Sequence, residues 1–318
     1  MKHLAASLPQ PQARSAAEEP VAGPGPIQFP LPRAASTQAA STPRSIGVIL
    51  VEAGRLQASD VDRIVQAQRA QACSFGQAGL ALGLLSKNDV EFALSRQFDY
   101  PYLLAGSSQV HASIVTAYQP FVGVAEQLRS LRMQLMLRQL QRPGIPPTVA
   151  VVGGARREGR SFMAANLAVV FSQLGERTLL VDADLRAPVQ AQLFDVNGRL
   201  GLSNILMGRA DLSCVSAVPG LAALHVLAAG SQAPNPQELL ARPGLSQLLA
   251  DAALHYDVVV LDTPPVTESA DAQIIAARVG MAVLVAQRGR TAVAALQRSV
   301  NALRDCGAEL AGTVLNDA

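Results

Sequence analysis

Tryptophan is absent from this chain, and aromatic residues make up only 4% of its 318 residues. Proteins that bind single-stranded nucleic acid stack the bases on aromatic side chains, so this composition argues against that class. The formal net charge of +2 also gives no strong field that would attract nucleic acid. We therefore expect no nucleic-acid partner.

Cysteine is scarce as well, and long apolar runs are missing. Cys73, Cys214 and Cys306 are far apart, and an odd number without paired spacing favours a reducing compartment over a disulfide framework. No apolar run is long enough to span a bilayer. Pro9 and Pro11 interrupt the N-terminus before the apolar region of a signal peptide forms. These features predict a cytoplasmic protein, and they leave open its attachment to a membrane partner at the inner face of the cytoplasmic membrane.

Composition and pattern divide the chain into four segments. Residues 1–43 are rich in Ala, Pro, Ser and Gln without a usable period, which predicts a disordered tail. A small repeat domain follows at 44–104, and then a linker with one helix at 105–147. Residues 148–318 have the strand and helix pattern of a larger α/β domain.

The repeat is visible in residues that recur at one constant offset. Gly47 recurs as Gly76, Gly54 as Gly83, Leu56 as Leu85, Val61 as Val90 and Gln68 as Gln97. In each copy a glycine leads to residues typical of helix N-caps, Ser59 and Asp60 in the first and Ser86 to Asp89 in the second. Apolar residues at helical spacing follow. The pattern predicts a mainly helical domain of two similar units.

This repeat resembles the N-terminal, MshEN-like domains of type II secretion and pilus ATPases. Some of those domains bind cyclic-di-GMP through two tandem motifs, which the resemblance implies as a ligand here. Those motifs begin with an arginine two residues before the glycine, whereas this chain has Ser45 and Ser74 there. A module that docks a partner is therefore favoured over a dinucleotide sensor, and both remain open.

A second helix is predicted at about 122–140, with leucines mostly on one side. It carries Glu126, Arg129 and Arg132, whose three-residue steps place the charges roughly along one face. From the spacing alone, these charges form a solvated face with weak intrahelical pairs.

The larger domain opens with a buried strand at 148–152, a glycine-rich loop and a helix, followed by a strand at 178–181. Glycines let backbone N–H groups point at phosphate oxygens, and the helix adds its positive end. Gly154, Gly159 and Ser161 fit the phosphate-loop motif, whereas Arg160 stands in the place of the usual lysine. The predicted nucleotide contacts are Gly154, Ala155, Arg156, Arg157, Glu158, Gly159, Arg160, Ser161 and Phe162.

Carboxylates follow or end two of the predicted strands. Asp182 and Asp184 follow the strand at 178–181, and Asp262 closes a further strand at 258–262. Parallel strands end at one edge of their sheet, so these groups should gather beside the glycine loop. We predict Ser161, Asp182 and Asp262 as Mg²⁺ ligands, and an α/β P-loop NTPase fold with a mostly parallel sheet flanked by helices.

At these residues the chain resembles the bacterial tyrosine kinases of exopolysaccharide assembly, of the chain-length-determinant EpsG type, in the MinD/ParA-like P-loop class. The matching motifs are the E-x-x-R-x-x-R helix, D-x-D-x-R at 182–186, G-L-S at 201–203, P-N-P-Q-E-L-L at 234–240, D-T-P-P at 262–265 and the closing Leu315-Asn316. The resemblance implies ATP and Mg²⁺, catalytic roles for Arg160, Asp182, Asp184 and Asp262, and a place for Asn316 near the base. It also implies self-association through Glu126, Arg129 and Arg132, and a Wzz-like membrane polysaccharide co-polymerase as partner.

Two departures leave the activity open. Arg160 retains the charge of lysine but is larger and planar, so it is expected to bind the nucleotide without necessarily reproducing the transfer geometry of lysine. The related kinases usually end in a tyrosine-rich tail, whereas this chain ends at Ala318, which directs attention to another protein or to Tyr100, Tyr102 and Tyr118 as acceptors. A tyrosine kinase that regulates polysaccharide export and a nucleotide-gated scaffold without kinase activity are the two main hypotheses, and a cyclic-di-GMP sensor is the third.

Overall fold

A computed structural model of the chain describes residues 44–97, 100–104, 106, 108–139 and 147–317. The predicted N-terminal tail at 1–43 lies outside the described residues, and so does the segment 140–146 before the first strand.

Four helices form the N-terminal part of the described chain. They are α1 (Ile46–Glu52), α2 (Ala58–Gln71), α3 (Phe75–Ala81) and α4 (Lys87–Gln97). A short helix followed by a long one occurs twice, which confirms the predicted mainly helical, two-repeat architecture. The two units interlock, because α1 contacts α4 and α2 contacts α3.

The repeated glycines lie where these helices touch. A methyl group on Gly47 would come within 3.2 Å of the Phe75 ring, and one on Gly76 within 2.9 Å of Val90. Equivalent positions in the two units therefore serve the same purpose, the close packing of one helix on another.

The N-cap prediction is correct for one repeat and wrong for the other. Ser86 and Asp89 exchange hydrogen bonds between their side chains and backbone N–H groups, at 3.2 and 3.0 Å, as in a capping box. Helix α2 instead begins at Ala58 after Gln57, so Ser59 and Asp60 lie inside its first turn. Asp60 then acts through its charge, because a carboxylate in the first turn interacts favourably with the helix dipole.

Within the described residues, seven strands form one sheet in the order β3-β4-β2-β5-β1-β6-β7. The strands are β1 (Thr148–Gly153), β2 (Thr178–Asp182), β3 (Ser216–Ala217), β4 (Leu224–Leu227), β5 (Val258–Asp262), β6 (Met281–Gln287) and β7 (Glu309–Asn316). All neighbours are parallel except the short β3, which pairs antiparallel with β4. The predicted fold class is confirmed.

Helices flank the sheet. The remaining helices are α5 (Val115–Tyr118), α6 (Gly123–Gln139), α7 (Arg160–Ser172), α8 (Gln190–Leu193), α9 (Leu202–Leu206), α10 (Pro236–Ala241), α11 (Gly244–His255), α12 (Asp271–Val279) and α13 (Val293–Asp305). Helix α7 is almost wholly buried and packs on the face of the sheet formed by Val149, Val151 and their neighbours. Helices α5 and α6 pack on α7 from outside, while α12 contacts β1 and β6.

The charged residues of α6 differ from the solvated face that their spacing suggested. The Glu126 side chain is exposed, but Arg132 is buried and donates a 2.5 Å hydrogen bond to the Val170 carbonyl oxygen. Three residues fall short of a full helical turn by roughly 60°, so side chains at three-residue steps move gradually around the helix. Two such steps carry the side chain from solvent to the core. Leu137, placed on the apolar side from sequence, is 55% exposed.

None of the helices in the described ranges combines the length and the apolar character that a bilayer crossing requires.

Candidate active site

The glycine loop (residues 153–161) joins β1 to α7 at the carboxyl edge of the sheet. Gly159 has a φ of +91°, a backbone conformation that glycine adopts without strain. A methyl group there would lie 2.2 Å from the Asn316 amide nitrogen, which donates a 3.2 Å hydrogen bond to the Glu158 carbonyl oxygen. The end of β7 therefore touches the loop, and Asn316 lies with the other predicted site residues.

Glu158 was expected among the phosphate contacts, but its side chain points into the protein. The residue is only 2% exposed, and its carboxylate accepts a 2.9 Å hydrogen bond from the Ala155 N–H and a 2.6 Å hydrogen bond from the Thr291 hydroxyl. Through these bonds the carboxylate ties two points of the loop together and links the loop to the segment after β6. Only the backbone of Glu158 remains for a direct phosphate contact.

Arg160 fills the lysine position and is buried, at 7% exposure. Its aliphatic carbons pack against Gly153, where a methyl group would come within 2.8 Å. The guanidinium donates a 3.3 Å hydrogen bond to the Ala155 carbonyl oxygen and lies 4.0 Å from the Asp184 carboxylate. Burial lowers the pKa of Arg160, while the nearby carboxylates of Asp262 and Asp184 oppose that shift.

Asp182 and Asp262 are register partners on the adjacent strands β2 and β5. Both are completely buried in the protein. Burial raises the pKa of Asp182 to about 8, and the charge of Asp262 adds to this shift. Burial likewise raises the pKa of Asp262 to about 6, against hydrogen bonding from Gln190 and Ser161. The structure thus brings together the carboxylates that the sequence placed at two strand ends.

Gln190, which the sequence patterns did not indicate, bridges these two carboxylates. Its backbone N–H donates to Asp182 Oδ2 at 2.9 Å, and its side-chain amide donates to Asp262 Oδ2 at 2.7 Å and to the Ser161 carbonyl oxygen at 3.1 Å. The residue opens the four-residue helix α8, shortly after the D-x-D-x-R segment but outside it. Only the folded chain shows that it belongs to the site.

Three oxygen atoms in this cluster are buried without a hydrogen-bond partner among the described residues: Asp182 Oδ1, Asp262 Oδ1 and Gln190 Oε1. Unsatisfied buried oxygens are costly and call for a ligand, a water or an ion. Hard cations such as Mg²⁺ prefer oxygen donors, and in nucleotide sites they combine one or two carboxylates with phosphates and water. In the described part of the chain, this cluster included, no group of three or more His, Cys, Asp or Glu side chains is arranged to hold a metal without other ligands. The residues present fit Mg²⁺ that is shared with a phosphate.

Asp184 has a different environment from its neighbour. One of its oxygens accepts hydrogen bonds from the Arg186 and Ala187 N–H groups at 3.1 and 3.0 Å, and the other faces Arg160. Arg186 in turn makes a bidentate ion pair with the buried Asp271 at the start of α12. These contacts fix the backbone that follows β2.

The segment after β5 fixes the start of the glycine loop. The Thr267 hydroxyl donates a 2.6 Å hydrogen bond to the Gly154 carbonyl oxygen, and the Val266 N–H donates to the Gly153 carbonyl oxygen at 2.9 Å. Glu268 makes a bidentate ion pair with Arg156 at the loop tip, at 2.8 Å from Nε and 2.7 Å from Nη2. Arg156 is thus exposed to solvent, but its guanidinium is held by Glu268.

The other predicted loop residues lie on the outside of the site. Ala155 and Arg157 are exposed, and Arg157 has a φ of +65°. Phe162 is half-buried and borders a cavity of about 620 Å³ between α6 and β7. Leu128, Leu315 and Asn316 also line this cavity, which opens beside the glycine loop.

Comparisons with known proteins agree with this geometry. Residues 145–318 match the family described as ParA, NUBPL iron-transfer P-loop NTPase. The chain is 32% identical over 209 residues to the tyrosine-protein kinase YwqD of Bacillus subtilis, an alignment that covers 66% of this chain and 87% of the relative.

Two solved structures are similar over most of their length. The kinase domain of the Escherichia coli tyrosine kinase ETK superposes with a TM-score of 0.62 and 29% identity, covering 70% of this chain and 86% of that one. The chimerical protein CapA2B2 gives a TM-score of 0.60 and 30% identity, covering 71% and 98%. The family match at 145–318 includes the glycine loop and the strands that carry the carboxylates.

Proposed function

The chain belongs to the bacterial tyrosine-kinase family built on a ParA-type P-loop NTPase domain, and we propose that it transfers the γ-phosphate of ATP to protein tyrosine. The observation that carries this proposal is the pair of buried carboxylates, Asp182 and Asp262, with unsatisfied oxygens beside the glycine loop. A purely structural pair of like charges would have its oxygens paired, because burying them otherwise destabilises the fold.

The loop and the start of α7 would bind the phosphates. Backbone N–H groups of the loop and the N-terminus of this 13-residue helix favour anions. Arg160 would contribute a positive charge from the buried side, held in place by Asp184. Ser161, Asp182 and Asp262 would hold Mg²⁺, which when bound neutralises charge on the β- and γ-phosphates.

Asp182 is the proposed acceptor of the tyrosine hydroxyl proton. Its position beside Asp262 at the carboxyl edge of the sheet puts a carboxylate next to the glycine loop, where the acceptor hydroxyl would meet the phosphate. The Gln190 and Val189 N–H groups hold one of its oxygens and leave the other for the reaction. Asn316 and the cavity beside Phe162 offer a place for the adenine base.

The test is phosphotyrosine formation on a glutamate–tyrosine copolymer with Mg·ATP. Asp182→Asn should lower the rate by at least about 100-fold, the usual contribution of a general base. Asp195→Asn is the matched control, because Asp195 is exposed and its positive φ suits asparagine as well as aspartate. Equal phosphotyrosine formation by wild type and Asp182→Asn would refute the assignment.

A nucleotide-gated scaffold without kinase activity is the second candidate function. It is favoured by Arg160, which puts a larger, planar guanidinium in the lysine position and donates a hydrogen bond to the Ala155 carbonyl oxygen. The comparison of wild type with Arg160→Lys separates the two functions. A scaffold with Arg160 binds ATP and associates without forming phosphotyrosine. A kinase with a working arginine forms phosphotyrosine as the wild type, and Arg160→Lys leaves that activity unchanged.

For the N-terminal helices we propose a module that docks a protein partner, with cyclic-di-GMP binding as the alternative. The repeated Gly47 and Gly76 favour docking over dinucleotide binding, because both glycines already serve the packing of one helix on another. Calorimetric titration of the full chain with cyclic-di-GMP tests the alternative. Heat of binding at micromolar ligand would favour the sensor.

The proposed partner is a Wzz-like polysaccharide co-polymerase that would hold the protein at the inner face of the cytoplasmic membrane. The resemblance to exopolysaccharide kinases supports this. Coexpression with such a co-polymerase should move the chain into the membrane pellet, and a chain that stays in the supernatant in both cases would contradict the proposal.

Self-association is proposed through the outer part of α6. Glu126 is exposed, whereas Arg129 is mostly covered and Arg132 acts from inside its own subunit. Glu126→Lys should weaken association in sedimentation experiments, while Asp305→Lys, at an exposed site on α13, should leave it unchanged.

A further inference from the structure

Tyr100 lies between two elements of the ATP-binding domain. Its hydroxyl donates a 2.8 Å hydrogen bond to Gln173 Oε1 just after α7, and it accepts a 3.3 Å hydrogen bond from Arg129 on α6. Arg129 also contacts Glu126 at 2.7 Å and the Pro120 carbonyl oxygen at 2.6 Å. An arginine that already faces a tyrosine hydroxyl is well placed for a phosphate on that oxygen.

The other three tyrosines lack this arrangement. The Tyr102 hydroxyl is buried, and the Tyr118 hydroxyl donates to the Val110 carbonyl oxygen. Tyr256 is 9% exposed and packs edge-on against His225. Tyr100 is half-buried, and it borders a cavity of about 390 Å³ that Arg96 also lines. Tyr100 therefore has a neighbouring cavity and positively charged arginine side chains around it.

We propose that Tyr100 is a phosphorylation site of this chain and that Arg129 receives the phosphate. This inference rests on the proposed kinase function, with a second copy of the chain as the enzyme. Transfer forms a bond between Tyr100 Oη and the γ-phosphorus of ATP, and breaks the bond from that phosphorus to the β–γ bridging oxygen. ADP and the hydroxyl proton are released. Residues 100–104 are neither helix nor strand, so presenting Tyr100 to another active site disrupts no such element.

Phosphorylation would exchange one contact for another. The modified oxygen has no proton to donate, so the bond to Gln173 Oε1 is lost and two acceptors face each other. Arg129 gains a charge-assisted bond to a dianionic group, in competition with Glu126. Gln173 still donates to the Pro101 and Thr116 carbonyl oxygens, at 3.0 and 2.9 Å. The expected result is a linker shifted from α7 toward α6, with Glu126 displaced from Arg129.

The experiment is mass spectrometry of the full chain after incubation with Mg·ATP. Fragmentation must localise the phosphate, because Tyr100, Tyr102 and Tyr118 lie on one tryptic peptide between Arg96 and Arg129. We expect phosphate on Tyr100 in the wild type, its loss in Asp182→Asn, and its loss in Tyr100→Phe but not in Tyr102→Phe. Tyr100→Phe should still phosphorylate the glutamate–tyrosine copolymer.

The outcomes separate this inference from the proposed function. Phosphotyrosine on the copolymer together with an unmodified Tyr100, or with phosphate on Tyr102 or Tyr118 alone, overturns the Tyr100 assignment and leaves the kinase function standing. An absence of phosphotyrosine on both the chain and the copolymer overturns both.

The proposed contact between Arg129 and the phosphate is tested by the rate of dephosphorylation. An added tyrosine phosphatase should remove the phosphate from Arg129→Gln about tenfold faster than from the wild type, because the charge-assisted bond is lost. Arg138→Gln is the matched control on the same helix, where the arginine pairs with Glu309 at 3.5 Å. Equal removal rates in the Arg129 variant and the wild type would overturn the assignment of Arg129.

Discussion

The carboxylate of Glu158 accepts a 2.6 Å hydrogen bond from the hydroxyl of Thr291, and this bond joins the glycine loop to the segment between β6 and α13. The same carboxylate accepts from the Ala155 N–H. The curvature of the loop thus depends on a residue that is far away in sequence.

Removal of the Thr291 hydroxyl should therefore weaken ATP binding. Thr291→Val leaves one oxygen of a buried carboxylate without its donor, so we expect the dissociation constant for Mg·ATP to rise about three- to tenfold. Calorimetry measures it directly. Thr291→Ser keeps the hydroxyl and should bind as the wild type; a Thr291→Val protein with unchanged affinity would show that Glu158 does not need this contact.

The raised pKa of Asp182 predicts how the stability of the ligand-free protein depends on pH. Between its unfolded pKa, near 4, and about 8, the folded state binds a proton that the unfolded state has released. Stability should therefore fall as pH rises through this range. Asp262, with a pKa of about 6, contributes mainly below pH 6, so from pH 6 to 8 the difference between the wild type and an Asp182 variant reports on Asp182.

Thermal unfolding at pH 6 and pH 8 checks this prediction. The drop in Tm over this interval should be smaller in Asp182→Asn than in the wild type, because the amide does not titrate. Asp195→Asn should behave as the wild type. Parallel curves for all three proteins would contradict the predicted pKa.

Mg·ATP binding should release protons at pH 7. A carboxylate with a pKa of about 8 is mostly protonated at that pH, and it must lose its proton to bind a cation. Calorimetry in buffers of different ionisation enthalpy counts the released protons. ATP with excess chelator, or Mg·ATP added to Asp182→Asn, should release fewer, and equal release in all cases would refute the prediction.

Arg132 should matter for folding of the single subunit. Its guanidinium donates to the Val170 carbonyl, one of the last four of α7, which have no partner within the helix. Arg132→Gln should lower the free energy of unfolding by about 1–3 kcal/mol at any protein concentration. Arg138→Gln, whose arginine is about half exposed, should change it by less than about 0.5 kcal/mol. A concentration-dependent loss would instead point to a subunit interface.

Local patterns in the sequence were sufficient for the sheet and for the carboxylates at its edge. Buried strands have continuous apolar runs, and Asp182 and Asp262 follow such runs directly. The fold class and the meeting of these two groups could therefore be predicted.

Contacts between distant parts of the chain could not be predicted from the sequence. Gln190 reaches Asp262 from a four-residue helix, and Thr291 reaches Glu158 from a loop, without any periodic signal around them. The burial of Arg132 depends on the helix that covers it. In each case the deciding partner is set by the tertiary fold, which propensity and periodicity do not describe.

The contact of Asn316 with Gly159 has a thermodynamic consequence. β7 is the outermost strand of the sheet at that side, and its last residue rests on the loop that would hold the phosphates. Any protein or peptide whose binding shifts the end of β7 must change the affinity for the nucleotide. By reciprocity of linked equilibria, the nucleotide must change the affinity for that binder by the same factor. Binding at the outer edge of the sheet and binding at the nucleotide site are therefore thermodynamically coupled.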